Sequence, residues 1–391
     1  MKKSKIIMVL VFLLVIGGIS ILSFAAKDKA FSENENRYLA ERPVLTWDRI
    51  VSGDFQNDLE TYLNDHIIFR DQWITMKTAV QKASGDTDIG GAYVGKDGYD
   101  FEKIIPEDID EKLVDRNIDA VQRYFSYCSN TIPREKLSFL LVPTSGLIKS
   151  EYLPAHAILF DQSAYIARVQ EAMQDYNYID VESALIEDAD EYVYYRTDHH
   201  WTTQGAFLAY EEWCGATGHA FLGADAYEAV QVTDSFRGSL YSKILDCDSA
   251  YDSIWIMNPK DSDASYTVMA DGEDIGGFYQ EEKLAEKDKY TYFFGGNYGE
   301  VCIERSRTGE EDVQEEKNLL VIKDSFANTF VPLIAEEYDH IYMVDLRYYA
   351  GDMTAYLEEN EITDVLVLYN IANFVSDKNI FKLSSNIAKA E

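Results

Sequence analysis

One recurring pattern narrows the fold more than any other feature: a short, unbroken apolar run followed by a stretch with helical spacing. The run 137–142 stops at Pro143, helical 162–176 follows, and 178–181 is a second short run. The pattern returns as 319–322, helical 326–337, 341–344, helical 353–360 and 365–368. Runs that are apolar throughout, rather than alternating, mean strands covered on both faces. Strands separated by helices run parallel. The expected fold class is therefore α/β, with a mostly parallel sheet between layers of helices. A chain of 391 residues, 47% hydrophobic, is long enough to bury such a core. There is no internal repeat and no Gly-rich phosphate loop after any run.

The first residues have a different character. Lys2, Lys3 and Lys5 precede an apolar run over 6–26. A spanning helix needs roughly 20 apolar residues, and a cleaved signal about 7–15. Residues 1–26 are thus a signal anchor, with cleavage at Ser23-Phe24-Ala25-Ala26 as the alternative. The lysines place the rest of the chain outside the cell membrane, attached by one pass or, after cleavage, secreted. Residues 27–90 form a polar juxtamembrane linker and helices, with a turn at 65–71 where His66 is a structural residue near a helix end. A single domain fills 91–391, opening with a hairpin about Asp97-Gly98 and an amphipathic helix over 109–127. Within it, 230–299 is richer in Gly, Asp and Tyr and is expected to be an insertion that shapes a cleft.

Charge excludes one class of partner. The formal net charge is −34, from 35 basic and 69 acidic residues, which repels nucleic acid. The 28 tyrosines suit carbohydrate or protein contact, or simply sheet positions. Cys128, Cys214, Cys247 and Cys302 are widely spaced. No zinc site is implied, and one or two disulfides remain open.

Chemistry concentrates at Asp198-His199-His200-Trp201. In an extended segment, residues two apart point the same way, about 6.5–7 Å apart along the chain. Asp198 can then hold one ring nitrogen of His200 and leave the other free, which is the base half of a nucleophilic triad. Ser325 is the candidate nucleophile. It follows the run 319–322 and opens a helical pattern, where open α/β sheets place their ligands and helix N–H groups favour an oxyanion. The competing reading is that Ser325 only caps the helix. In the same geometry His199 faces away, as a hydrogen-bonded neighbour. Thr202 or Thr203 caps the next helix, and Pro332 kinks or delays the one after Ser325. Asp324 is expected to hold the turn. Asn370 can offer an amide to an oxyanion or act as a turn residue, and Gly296 and Asn297 are further candidates. Trp201, Tyr241, Tyr298 and Tyr369 are the residues expected to line an acceptor cleft. No cofactor or metal is called for. Asp-His-His also occurs in manganese phosphoesterases, but such sites want further clustered ligands, and the other four histidines are scattered. A carbohydrate-binding protein with a degenerate triad is a third reading.

Residues 197–206, Thr-Asp-His-His-Trp-Thr-Thr-Gln-Gly-Ala, resemble the signature of the bacterial DHHW proteins, relatives of the alginate O-acetyltransferases with an SGNH-hydrolase-like fold. The segments 34–43, 65–73, 95–101 and 236–241 are similar too. In that group a D-x-H motif precedes the serine, as Asp198 and His200 precede Ser325 here. The resemblance implies an SGNH-like α/β/α domain outside the membrane. It implies acyl transfer, usually acetyl, to or from a polysaccharide hydroxyl. It also implies a membrane-bound O-acyltransferase as acyl supplier. A Gly and Asn oxyanion pair of the usual SGNH kind is not recognisable in the pattern.

Overall fold

The computed structural model describes residues 2–306 and 316–387. They form two units: Met1–Gly91 with Tyr241–Ser249, and Ala92–Leu240 with Ala250–Glu391.

The larger unit is built on one sheet. Its strands are β1 (Leu137–Val142), β2 (Asn177–Ile179), β3 (Ser265–Ala270), β4 (Glu273–Asp274), β5 (Glu300–Ser306), β6 (Asn318–Lys323), β7 (His340–Val344) and β8 (Asp364–Asn370). The order across the sheet is β4-β3-β5-β7-β6-β8-β1-β2. From β7 to β2 every pairing is parallel. From β7 to β4 every pairing is antiparallel. The sheet is thus mixed, and the expectation of a mostly parallel one is corrected. The reason lies in the connections. Helices join the parallel strands, whereas β3 and β4 are joined by Asp271-Gly272, both at positive φ, a tight turn that only antiparallel neighbours can use.

Side chains alternate along the parallel strands between two cores. Leu140, Leu319, Val321 and Leu366 enter one; Phe139, Leu320, Ile322 and Val365 enter the other. The first core takes Phe207 and Trp213 from helix Thr203–Thr217 and Phe330 from Ala327–Ile334. The second takes Val121 and Phe125 from Glu111–Cys128 and Phe374 from Ile371–Ser376. Each large apolar side chain buried this way contributes about 1.5–3 kcal/mol. Cys128 lies in one core and Cys214 in the other, and all four cysteines are free. A two-stranded ladder, Tyr227–Phe236 against Asp252–Pro259, lies outside the main sheet. The expected hairpin is present, Ala92–Val94 against Asp100–Glu102, with Asp97 and Gly98 at positive φ.

The smaller unit contains helices Lys2–Ala25, Trp47–Ser52, Asp54–Asp65 and Arg70–Ala83. Ser4–Ala25 is long and apolar enough to cross a membrane, a test a signal sequence also passes. Polar bonds hold the segment that follows. Asp65 accepts from Arg37 Nη2 at 2.5 Å and from the Ala40 N–H at 2.8 Å. Arg70 Nε pairs with Glu35 at 2.7 Å. His66 ends helix Asp54–Asp65 and donates its Nε2–H to the Ala40 carbonyl at 2.8 Å.

Candidate functional site

The Asp-His-His segment is not extended. Tyr194 and Trp201 bridge antiparallel, and residues 196–200 form a tight loop between them. Inside it, Asp198 Oδ1 accepts from the His200 backbone N–H at 3.0 Å and from His200 Nδ1 at 2.6 Å. The aspartate therefore reaches His200 because the loop folds back on itself, and not because strand periodicity aligns them. His199 likewise does not face away. Its ring lies against that of His200, centroids 3.9 Å apart, and its Nδ1 meets Ser239 Oγ at 2.7 Å.

Two buried carboxylates fix this loop. Asp252 accepts from the Tyr192 hydroxyl (2.5 Å), the N–H groups of Arg196 and Thr197 (2.8 Å each) and Thr197 Oγ1 (2.6 Å). Asp198 Oδ2 accepts from the Ser239 N–H at 2.7 Å. The close approach explains Gly238: a Cβ there would lie 2.2 Å from Asp198 Oδ2.

Ser325 stands two residues past β6. Its Oγ lies 2.7 Å from His200 Nε2. With Nδ1–H donated to the carboxylate, Nε2 is the acceptor and the serine hydroxyl the donor. Ser325 does not cap the helix. Phe326 is at the N-cap of Ala327–Ile334, which makes no side-chain capping bond. The helix starts late and ends two residues past Pro332, so it is shorter than its apolar pattern. Asp324 holds the serine turn, accepting from the N–H groups of Phe326 (2.9 Å) and Asn370 (2.7 Å) and from Asn373 Nδ2 (2.7 Å).

Burial sets the electrostatics. Burial alone would raise the Asp198 carboxyl. The two imidazoles, with the hydrogen bonds from His200 and Ser239, outweigh it and hold the group below its ordinary value. Burial, helped by the neighbouring His199, pushes His200 down to about 4. At neutral pH the pair is a carboxylate beside a neutral imidazole, the state of a resting general base. Asp198, His199 and His200 also offer ligand atoms within 4.8 Å of one another. A metal there would have to displace Asp198 or Ser325 from the His200 ring nitrogens.

The other candidates separate. Trp201 is fully buried, and its Nε1–H donates to the Phe326 carbonyl (3.0 Å) and Thr329 Oγ1 (2.7 Å), so it braces the serine helix from inside instead of lining a cleft. Asn370 uses its amide N–H groups on the Val142 and Pro143 carbonyls, and its Oδ1 caps the next helix through the Ala372 N–H. No amide proton is left for an oxyanion. Tyr369 is buried in the core that Ser325 does not face, beside Phe374. Asn297 is exposed and Tyr298 half-buried, and neither has a hydrogen bond or ring contact with Asp198, His200 or Ser325. Tyr241 belongs to the smaller unit.

Sequence reasoning missed Tyr290. Its ring stacks on His200, centroids 3.7 Å apart and planes 9° apart, and its hydroxyl donates to the Ser325 carbonyl at 3.0 Å. It thus touches both residues from a stretch read as irregular. The aromatic density of Tyr290, Tyr292, Phe293 and Phe294 was the only local sign.

Fold and site together define a class: an α/β sheet protein with an Asp–His–Ser hydrogen-bonded line at the end of a parallel strand. The DHHW protein family matches residues 157–344, which include all three residues. Among solved structures, a DHHW family protein from Eubacterium siraeum is 21% identical over 77% of this chain and 97% of its own, with a TM-score of 0.62. Bacillus cereus PatB1, solved with a sulfonyl adduct, is 23% identical over 74% of this chain and 97% of its own, with a TM-score of 0.60. These likenesses concern the fold. No curated protein matches the sequence.

Proposed function

We propose that this chain is an SGNH-like extracytoplasmic O-acyltransferase or esterase, acting on acetyl groups of a polysaccharide. The observation that carries the reading is the unbroken line from Asp198 through His200 to Ser325, with bonds of 2.6 and 2.7 Å. Ser325 Oγ attacks the acyl carbonyl and passes its proton to His200 Nε2. Asp198 stabilises the imidazolium. The donor's leaving oxygen takes that proton, and the acyl group stays on the serine as an ester. A sugar hydroxyl then attacks the ester, His200 receives its proton, and Ser325 Oγ is released with that proton. Water in place of the sugar makes the same cycle an esterase. The Ser325 N–H donates no hydrogen bond among the described residues, and its place at a strand–helix junction suits it to donate to an oxyanion. Ser325 is 7% exposed, which limits competition from bulk water. The resemblance adds the acyl supplier, a membrane-bound O-acyltransferase. It fits a chain whose N-terminal helix stays attached. Ser23 Oγ accepts from the Ile68 N–H, and Asp28 accepts from the Tyr62 hydroxyl, so the helix end is tied to the folded segment after it.

The test compares acetate release from a chromogenic acetyl ester by wild type and Ser325→Ala, with and without chelator. Turnover lost in the variant and unchanged by chelator is expected. Turnover surviving in the variant but lost on chelation would replace the serine with a metal-bound nucleophile at Asp198, His199 and His200. A strict transferase releases little acetate, so labelling by a sulfonyl fluoride is read in parallel. No labelling of Ser325 in the wild type would leave a carbohydrate-binding protein.

A further inference from the structure

Helix Arg70–Ala83 of the smaller unit packs the wrong way round for a helix of a soluble protein. Phe69, at its N-cap, with Trp73, Met76 and Val80, forms one apolar face at helical spacing. These side chains are 64%, 40%, 52% and 61% exposed. The residue buried from this helix is instead Thr78, whose hydroxyl donates to the Ile244 carbonyl at 2.6 Å. An apolar face left outside marks a surface that something covers.

The start of that face lies beside the end of the N-terminal apolar helix. The Ile68 N–H donates to Ser23 Oγ at 3.1 Å. Leu22 and Ala26 share one cavity with Ile67, Ile68 and Phe69. The Trp73 indole N–H donates to the Ile68 carbonyl at 3.0 Å, which closes the ring onto the same turn. Ser23 lies in the last turn of Ser4–Ala25, whose 22 residues rise about 33 Å, close to the ~30 Å of a hydrocarbon core. With the helix spanning, Ser23 is at the outer edge of that core, and the hydrogen bond holds the turn at Ile68 to the same depth. Exposed Lys27 and Lys29 follow at headgroup level. Aromatic rings and lysines are the side chains that favour this layer.

We propose that Ile67, Phe69 and Trp73 insert into the outer lipid–water interface beside the spanning helix, so that the chain holds the membrane at two points. The inference rests on the reading of Ser4–Ala25 as a retained anchor. The covering material is lipid, because the face begins where the span ends.

The test uses the full chain with Cys247→Ser and Phe69→Cys, carrying an environment-sensitive NBD label, reconstituted in phosphatidylcholine vesicles. Blue-shifted emission is expected, quenched at least twofold by lipids with a shallow doxyl group and little by aqueous iodide. Efficient iodide quenching would overturn the proposal. So would resistance to both quenchers, which would mean that protein covers the face, a second copy of this chain included. Carbonate extraction and intact mass of the cell-derived chain separate the two readings. A shortened chain in the soluble fraction ends the anchor reading and the insertion with it. A full-length chain in the pellet with an aqueous Phe69 label ends the insertion alone.

Discussion

The two units use opposite means to stay folded. In the larger one, every residue of β1 and β6 is buried, and two apolar cores clasp the sheet. In the smaller one, Trp47, Phe69, Met76 and Val80 are exposed, few apolar side chains such as Tyr62 and Ile89 are buried, and Arg37, Asp65, Glu35 and Arg70 form an ion-paired cluster. Burial of that many side chains resists single changes elsewhere. A few ion pairs, several of them half-exposed, do not. The hydrogen-bonded line from Asp198 to Ser325 thus lies in the unit with the apolar cores, where a bond length can be held, while the smaller unit leaves apolar side chains on its surface.

The comparison is sharpened most by the reacting group. Ser325→Ala and His200→Ala should each lower acyl-enzyme formation by roughly a thousandfold or more, with unfolding midpoints within ~1 kcal/mol of wild type. Intact-mass spectrometry after a short acyl-donor pulse measures this, and a Ser325→Ala chain that still gains the acyl mass contradicts it. Gly238→Ala comes next. Its Cβ must push Asp198, and a shift of about 1 Å there should cost on the order of 100-fold in rate. Unchanged turnover would mean that the loop yields freely and that Asp198 is not held rigidly.

Smaller and confined to the other unit is Asp65→Ala. It leaves the Ala40 N–H without its acceptor and Arg37 with Glu35 as its remaining carboxylate, at about 1–3 kcal/mol. Hydrogen exchange at the Ala40 amide should quicken, while the amides of β6 and the acetyl-ester turnover stay as in wild type. Quickened exchange in β6 would mean that the units do not open independently.

The pH effect is the mildest. The folded pKa of His200 is depressed to about 4, from about 6.5 for a free imidazole. The folded state therefore binds fewer protons than the unfolded state between those values. Stability from this group is full above pH 6.5 and is lost as pH falls through 4, and the depressed Asp198 adds to the loss at still lower pH. Denaturant midpoints should fall over that window, while labelling of Ser325 by a sulfonyl fluoride persists below pH 6. A labelling midpoint near pH 6.5 would indicate a solvated His200.

Much of the larger unit was legible because its signals are local. The unbroken runs became β1, β2, β6, β7 and β8 within a residue or two, and Thr202 caps its helix through the Gly205 N–H as its position implied. The mixed sheet was harder. β3 and β4 come from a stretch of weak periodicity, and only Asp271-Gly272 announced their turn. Ser325, His200 and Asp198 could be picked out by residue type and by place relative to a strand. The lining residues could not, because a tyrosine's neighbours depend on which face it takes. Tyr369 and Tyr290 look alike in the sequence, and one is buried in the far core while the other stacks on the imidazole.

By itself, then, the sequence determined an N-terminal helix long and apolar enough to span a membrane, the doubly covered strands and the residue types of the hydrogen-bonded line, since each follows from side-chain chemistry and short-range periodicity. The tertiary structure alone decided that Asp198 meets His200 through a folded loop, that Gly238 and Ser239 press on that carboxylate, and that Trp201 and Asn370 brace the frame. The loop is held by Asp252 and Ser239 from elsewhere in the chain, and the other contacts also join distant segments at 2.7–3.1 Å, a closeness that no local pattern encodes.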